Sequence, residues 1–273
     1  RAAKRAGFKD VEFLYEPLAA GIDYESDLTQ DQKVLVIDIG GGTSDCSFVQ
    51  MGPSFRGNSQ RDSDFLSHSG KRVGGNDLDI ALSFHGLMPL LGLGSTFKSG
   101  LPLPNQAFWQ ACKINDVNLQ SQFYSESHTR ELNAQLRDVS APELYKRLIH
   151  LQQNKQGHQL VQQGEAAKIA LSSASVFDCD LSFLDSGLNK NVSVRDLAVA
   201  VESSISQIVT LAKQAISDAA TTPDIIYLTG GSAQSPLIKA ALSEHLGNIK
   251  MVNGDHFGSV TAGLTKWASM LYK

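Results

Sequence analysis

Residues 33–49 limit most sharply what this chain can fold into. Lys33-Val34-Leu35-Val36-Ile37-Asp38 is a short run of β-branched and aliphatic residues, the pattern of a buried strand. Three glycines follow, Gly40, Gly41 and Gly42, and then Ser44 to Gln50 alternates polar and apolar residues, which suits a second strand. Further along, Ile225-Ile226-Tyr227-Leu228-Thr229 is another apolar run, and it too ends in glycines, Gly230 and Gly231. Two such strand ends side by side make a concavity where backbone N–H groups converge.

Between and after these strands the pattern is helical. A helix starts at 77–84, and 142–153 carries Leu144, Leu148 and Leu151 at helical spacing. Residues 164–174 begin as a helix and end in serines. Residues 196–220 place Leu197, Val201, Ile205, Ile208, Leu211 and Ala215 on one face of a long amphipathic helix. The helix at 236–246 opens with Pro236, and a last one covers 258–273. Residues 52–70 read as a polar loop with a short strand near Phe65, and 176–184 as a strand. The opening RAAKRAG reads as the last turns of an amphipathic helix ending at Gly7, which points to a fragment.

Composition excludes several classes. The net charge of -4 offers no footprint for nucleic acid, and no basic run addresses an anionic membrane. The most apolar stretch, Leu82 to Leu93, is broken by His85, Pro89 and two glycines and is too short to span a bilayer. Cys46, Cys112 and Cys179 are odd in number and widely spaced, so buried reduced thiols in a cytoplasmic compartment are expected. No GxxxxGK[ST] loop occurs, and Gly40 and Gly42 are followed by Asp45 where a dinucleotide fingerprint needs glycine.

The chemistry concentrates in Asp38-Ile39-Gly40-Gly41-Gly42-Thr43-Ser44-Asp45. A carboxylate at a strand end suits a hydrated Mg²⁺ ion. Glycines let the main chain approach phosphate oxygens, and their N–H groups with the Thr43 hydroxyl can cap the anion. The bland alternative is a plain hairpin turn. Gly230, Gly231 and Ser232 form a second glycine turn, and Gly74-Gly75 opens a helix whose N-terminus is a natural anion site.

The order of these segments carries a resemblance. EPLAAGIDY (16–24), IDIGGGTSD (37–45), GKRVGGNDLD (70–79), GEAAKIALSSA (164–174), YLTGGSAQSPLIK (227–239) and NGDHFGSVTAGL (253–264) together resemble the Hsp70 nucleotide-binding domain from its middle to its end. The look is closest to short bacterial Hsp70-like proteins. The resemblance implies an α/β, actin-like ATPase lobe of the ribonuclease H-like kind, with a mixed sheet and an inserted α+β upper subdomain. It implies a remnant of the first lobe at 1–30 (helix, strand, crossover helix). The nucleotide-binding core would occupy 31–72 and 196–273, and the insertion 73–195.

The cofactors implied are ATP or ADP with Mg²⁺. Glu16 matches the glutamate near the metal-bound waters, and Asp38 the aspartate that positions the hydrated metal and the attacking water. Gly40, Gly41, Gly42 and Thr43 match the second phosphate loop, Thr43 counting with Glu16 and Asp38 as catalytic. Asp45 matches the aspartate that follows the loop. Gly74 and Gly75 match the turn at the base of the upper subdomain. Glu165, Lys168 and Ser172 match residues that line ribose and adenine, Gly230, Gly231 and Ser232 the adenosine turn, and Asp255 the far wall of that pocket.

The sequence departs from the family at Ile169 and Gln234, where arginines are usual, and at Asn76, where an acid is usual. Losing two guanidinium planes alters how a base would be stacked. The span from Asn76 to Glu165 is also longer than the family norm, with extra Gln- and Leu-rich residues at about 85–160. The family's first phosphate loop and catalytic lysine have no match, so this chain alone is expected to be a poor ATPase. The function implied is a nucleotide-dependent conformational switch of chaperone type, with protein clients or co-chaperones as partners and neither nucleic acid nor membrane. Alternatives are a nucleotide-free scaffold on the same fold, or a small-molecule kinase of the superfamily.

Overall fold

The computed structural model describes residues 1–58, 61–254 and 258–272. In chain order the elements run α1 (Ala2–Arg5), α2 (Glu16–Glu25), β1 (Gln32–Ile39), β2 (Ser44–Met51), β3 (Phe65–Lys71), α3 (Gly75–Leu82), α4 (Gln106–Cys112), α5 (Val117–Phe123), α6 (Glu126–Gln135), α7 (Pro142–Gln153), α8 (Gly157–Ala170), β4 (Val176–Asp180), β5 (Asn189–Ser193), α9 (Val194–Ala219), β6 (Ile225–Thr229), α10 (Pro236–Leu246), β7 (Lys250–Asn253) and α11 (Ser259–Leu271). They form two compact units, Arg1–Gly74 with Ser206–Lys273, and Gly75–Ile205. Among the described residues no helix is long and apolar enough to cross a membrane.

The first unit is built on a five-stranded mixed sheet of order β3-β2-β1-β6-β7. β1 pairs antiparallel with β2 and parallel with β6, so Asp38 has Asp45 on one side and Thr229 on the other. Central strands covered on both faces must be apolar throughout, which is why Val34 to Ile37 and Ile225 to Leu228 are all buried. One face packs Val34, Val36, Val49 and Met51 against Leu18, Ala20 and Ile22 of α2. On β3, Ser67 Oγ donates to Ala215 O (2.5 Å) and Ser69 Oγ to Leu211 O (3.0 Å), which brings the last turns of α9 onto the sheet. α11 crosses α2 so closely that a Cβ on Gly263 would fall 1.7 Å from Ala19 O.

A buried ionic cluster ties α2 to the β2–β3 connection. Arg61 donates to both oxygens of Glu25 (3.0 and 2.9 Å) and to Asp64, and all three residues are buried. Glu25 Oε1 also accepts from Gly52 N (3.1 Å).

The strand expected within residues 1–30 does not form. Residues 8–15 join neither sheet, so their backbone has no ladder partner, and Phe8, Phe13 and Tyr15 stay exposed. The strand expected at 176–184 stops at Asp180, because its partner β5 pairs only Val176 to Asp180 before a turn.

The second unit is mainly helical, with the β4–β5 hairpin. Leu78, Leu82, Phe108, Leu132, Tyr145, Leu148 and Leu160 supply its core. α3 and α8 meet at Gly164, where a Cβ would come 2.9 Å from Asp79 O of α3 and 2.3 Å from Ser83 Oγ just beyond it. Phe108 is buried in this core, whereas Trp109 is only partly covered, edge-on to Phe84 at 5.3 Å.

Candidate functional site

The segment 38–45 is a tight hairpin. Gly40 N donates to Thr43 O (2.9 Å), leaving Gly41 and Gly42 at the tip, and Gly40, Gly42 and Thr43 stand partly or fully open to solvent. The backbone is thus the plain turn that the bland reading describes, but its glycines need a further explanation. Neither Gly40 nor Gly42 has a positive φ. A Cβ on Gly42 would meet nothing within 4 Å, and one on Gly40 only Thr43 O at 3.5 Å. The chain itself therefore demands glycine at neither place. An anion approaching the exposed turn would demand it, since a Cβ would stand where the ligand and the main chain meet.

The second glycine turn abuts the first. Gly230 has φ 85° and ψ 150°, and a Cβ there would fall 2.4 Å from Ile39 O and 2.5 Å from Asp38 Oδ1. Ser232 Oγ donates to Gly40 O (3.3 Å), and Gly231 opens the 3₁₀ turn Gly231–Gln234. Gly74 lies against the same hairpin, where a Cβ would come 2.7 Å from the carbonyl oxygens of Gly40 and Gly41. The first unit thus gathers Asp38, Gly40, Gly41, Gly42, Thr43, Gly74, Gly230, Gly231 and Ser232 around one sheet end.

Asp38 carries the electrostatics. Burial pushes its carboxyl up to about 6, and the nearby charges of Glu16 and Asp45 push the same way. Crowded carboxylates of this kind suit a cation, which would reverse the repulsion. Among the described residues no three His, Cys, Asp or Glu side chains converge tightly enough to ligate a metal directly. A lone strand-end carboxylate with acidic neighbours is chemically compatible with a hydrated Mg²⁺ ion, which dehydrates reluctantly.

A stability prediction follows. Between pH 3.8 and about 6 the folded chain holds a proton on Asp38 that the unfolded chain has lost. Stability from this group is therefore present at low pH and declines as pH rises through that window. Asp38→Asn is expected to stabilise the metal-free protein by about 1–2 kcal/mol at neutral pH, after discounting for partial solvation. Urea midpoints should show that gain vanish near pH 4, and an equal gain at all pH values would contradict the assignment.

In the second unit Gly75 opens α3, α8 carries Glu165 and Lys168, and Ser172 lies in the turn just after α8. Glu165, Ile169 and Ser172 share one exposed face at spacings of four and three, with Ile169 62% exposed. Lys168 is turned aside. Its Nζ lies 2.7 Å from the buried Asp79 carboxylate and 3.4 Å from Gly75 O. Burial pushes Asp79 up to about 6 against the opposing pull of Lys168. Sequence reasoning passed over Asp79, whose only signal was an acid four residues into a helix on its apolar side. Asp255 lies outside the described residues.

A mixed α/β lobe with two glycine turns converging on an aspartate at a central strand end has the actin-like ATPase fold. The comparisons narrow the class. Residues 1–87 match the family model described as Hsp70 protein. The chain is 26% identical over 282 residues to the chaperone protein DnaK of Elusimicrobium minutum (strain Pei191), covering 99% of this chain and 36% of that protein. It is 25% identical over 253 residues to the DnaK of Endomicrobium trichonymphae, covering 89% of this chain and 31% of that protein. The chain is thus similar to Hsp70 proteins over residues 1–87 and to DnaK chaperones over most of its length, and it spans about a third of the length of these curated relatives.

Proposed function

We propose that this chain binds ATP or ADP with Mg²⁺ and serves as the nucleotide-dependent conformational switch of a chaperone-type protein. The observation that carries this reading is the Gly40–Thr43 turn, whose Gly40 and Gly42 answer to no need of the chain and sit beside the cation-seeking Asp38. In this reading the turn's N–H groups and the Thr43 hydroxyl cradle phosphate oxygens, while Asp38, with Glu16 close by, holds the hydrated metal. Gly230, Gly231, Ser232 and Asp255 receive the adenosine. The resemblance assigns Glu165, Lys168 and Ser172 to ribose and adenine, and within the second unit Lys168 is anchored on Asp79. The bound Mg²⁺ supplies charge neutralisation at the phosphates. Charges must converge on the transferred phosphoryl group from several sides, and for the first phosphate loop and catalytic lysine this sequence offers no match, so hydrolysis by this chain alone is expected to be slow.

Protein clients or co-chaperones as partners, and a cytoplasmic setting in keeping with the three free, buried cysteines, belong to the same proposal. A second reading, a scaffold that has lost its nucleotide, is favoured by the exposed Ile169 and by Gln234, neither of which offers a cationic plane to a base. Calorimetric titration of Mg-ADP into the full chain separates the two. Saturable binding that disappears in Asp38→Ala is expected. Absence of binding in the unaltered protein would leave the scaffold reading.

A further inference from the structure

A pocket of about 270 Å³ lies wholly within the second unit and shares no residue with the glycine turns or the exposed face of α8. Its apolar side is formed by Leu90, Val192 and Val199. Lys190 at β5 and Arg195 in the first turn of α9 give it a cationic rim, which His85 also lines. Val199 is 68% exposed, an aliphatic side chain left in water one turn along α9 from Arg195.

The rim cations are not spent internally. Asp196, the one carboxylate on the rim, is held by its own turn: Oδ2 accepts from Ser193 N (2.8 Å) and Ser193 Oγ (2.7 Å). Those bonds, led by the Ser193 hydroxyl, hold its carboxyl below the usual range, with only a lesser pull from Lys190 and Arg195. Among the described residues neither cation forms an ion pair or hydrogen bond of its own.

The opposite wall is irregular backbone. After α3 the chain makes one π-helical turn, Ser83–Leu87, with Met88 N donating back to Ser83 O. Such turns give up regular helical bonding and concentrate at functional places. The turn carries His85 and Gly86 to the pocket. A glycine inside a helical turn lowers stability relative to alanine. A Cβ on Gly86 would meet only Leu82 Cδ1 at 3.4 Å, so packing does not require the glycine.

We propose that this pocket docks a short acidic, aliphatic peptide segment. One carboxylate side chain lies between Lys190 and Arg195, and its aliphatic neighbour covers Leu90 and Val199, above the buried Val192. Charge complementarity selects the class. Asp196 on the rim and the negative chain disfavour a polyanion such as nucleic acid. The apolar floor gives a bare phosphate nothing to contact. The volume suits one or two side chains and falls below the range of about 300–1,000 Å³ usual for small-molecule sites. The assignment stands independently of nucleotide binding.

The test is an NMR titration of the ¹⁵N-labelled full chain with the blocked peptide acetyl-Leu-Glu-Leu-Glu-Leu-amide. Saturable shifts are expected at residues 85–90 and 190–200, weakening several-fold as NaCl rises from about 50 to about 300 mM. In Lys190→Glu/Arg195→Glu, at a half-buried and an exposed position, affinity should fall about tenfold or more, and the lysine-for-glutamate peptide should bind in its place. The proposal is overturned by no shifts at millimolar peptide, or by equal binding to the charge-reversed variant. The same shifts with inorganic phosphate, free glutamate or a short oligothymidine would replace it with a simple anion site.

Discussion

Gly230→Ala is expected to cost about 2–4 kcal/mol of stability and to abolish Mg-ADP binding. Its φ of 85° with ψ of 150° lies in a region that side-chain-bearing residues scarcely enter. The added Cβ would also stand 2.4 Å from Ile39 O and 2.5 Å from Asp38 Oδ1. Neither neighbour can yield cheaply, since Ile39 and Asp38 both belong to the central strand. Gly42→Ala is the paired experiment. With no positive φ and nothing within 4 Å of the new Cβ, it should leave the urea midpoint almost unchanged. Mg-ADP affinity should nevertheless fall about tenfold or more, because the methyl group stands where the phosphate approaches. Undiminished affinity in Gly42→Ala would remove the phosphate-loop reading of this turn, whatever Gly230→Ala does to the fold.

Arg61→Met is the other substitution with a large expected effect, a loss of about 3–5 kcal/mol. It strands Glu25 and Asp64, two carboxylates only 3% and 5% exposed, without their shared cation. The penalty comes from uncompensated buried charge more than from lost attraction. Replacing Glu25, Arg61 and Asp64 together with apolar residues of similar volume is therefore expected to recover most of the stability. Chemical denaturation of the single and triple variants measures both. A loss under about 1 kcal/mol in Arg61→Met would show that Glu25 reaches water by another route.

Much of the site's chemistry was legible because it is local. Asp38 and its three glycines adjoin one another in sequence, and the apolar runs on β1 and β6 announce strands that must be buried. Gly230 was legible as a turn residue but its task was not. Ser232 and Gly40, where the two turns touch, are separated by 192 positions, and only parallel pairing of β1 with β6 makes them neighbours. Lys168 read as a nucleotide contact from its place in a motif. Its ammonium is also engaged by Asp79, 89 residues earlier, in a pairing that no pattern along the chain encodes.

By itself the sequence determined what periodicity and local stereochemistry can specify: the buried strands, the amphipathic helix now bounded as Val194–Ala219, and the helix that Pro236 opens. β3, β5 and β7 are different. Phe-Leu-Ser-His-Ser-Gly-Lys, Asn-Lys-Asn-Val-Ser and Lys-Met-Val-Asn have weak or no strand pattern, and they are strands because β2, β4 and β6 each offer an unpaired edge. Backbone groups must find partners wherever water is excluded, so a neighbouring ladder overrides indifferent side chains. The Glu25–Arg61–Asp64 cluster was decided at the same level. Charges enter a core only where their partners arrive with them, and which partners arrive is settled by the packing of α2 against the sheet.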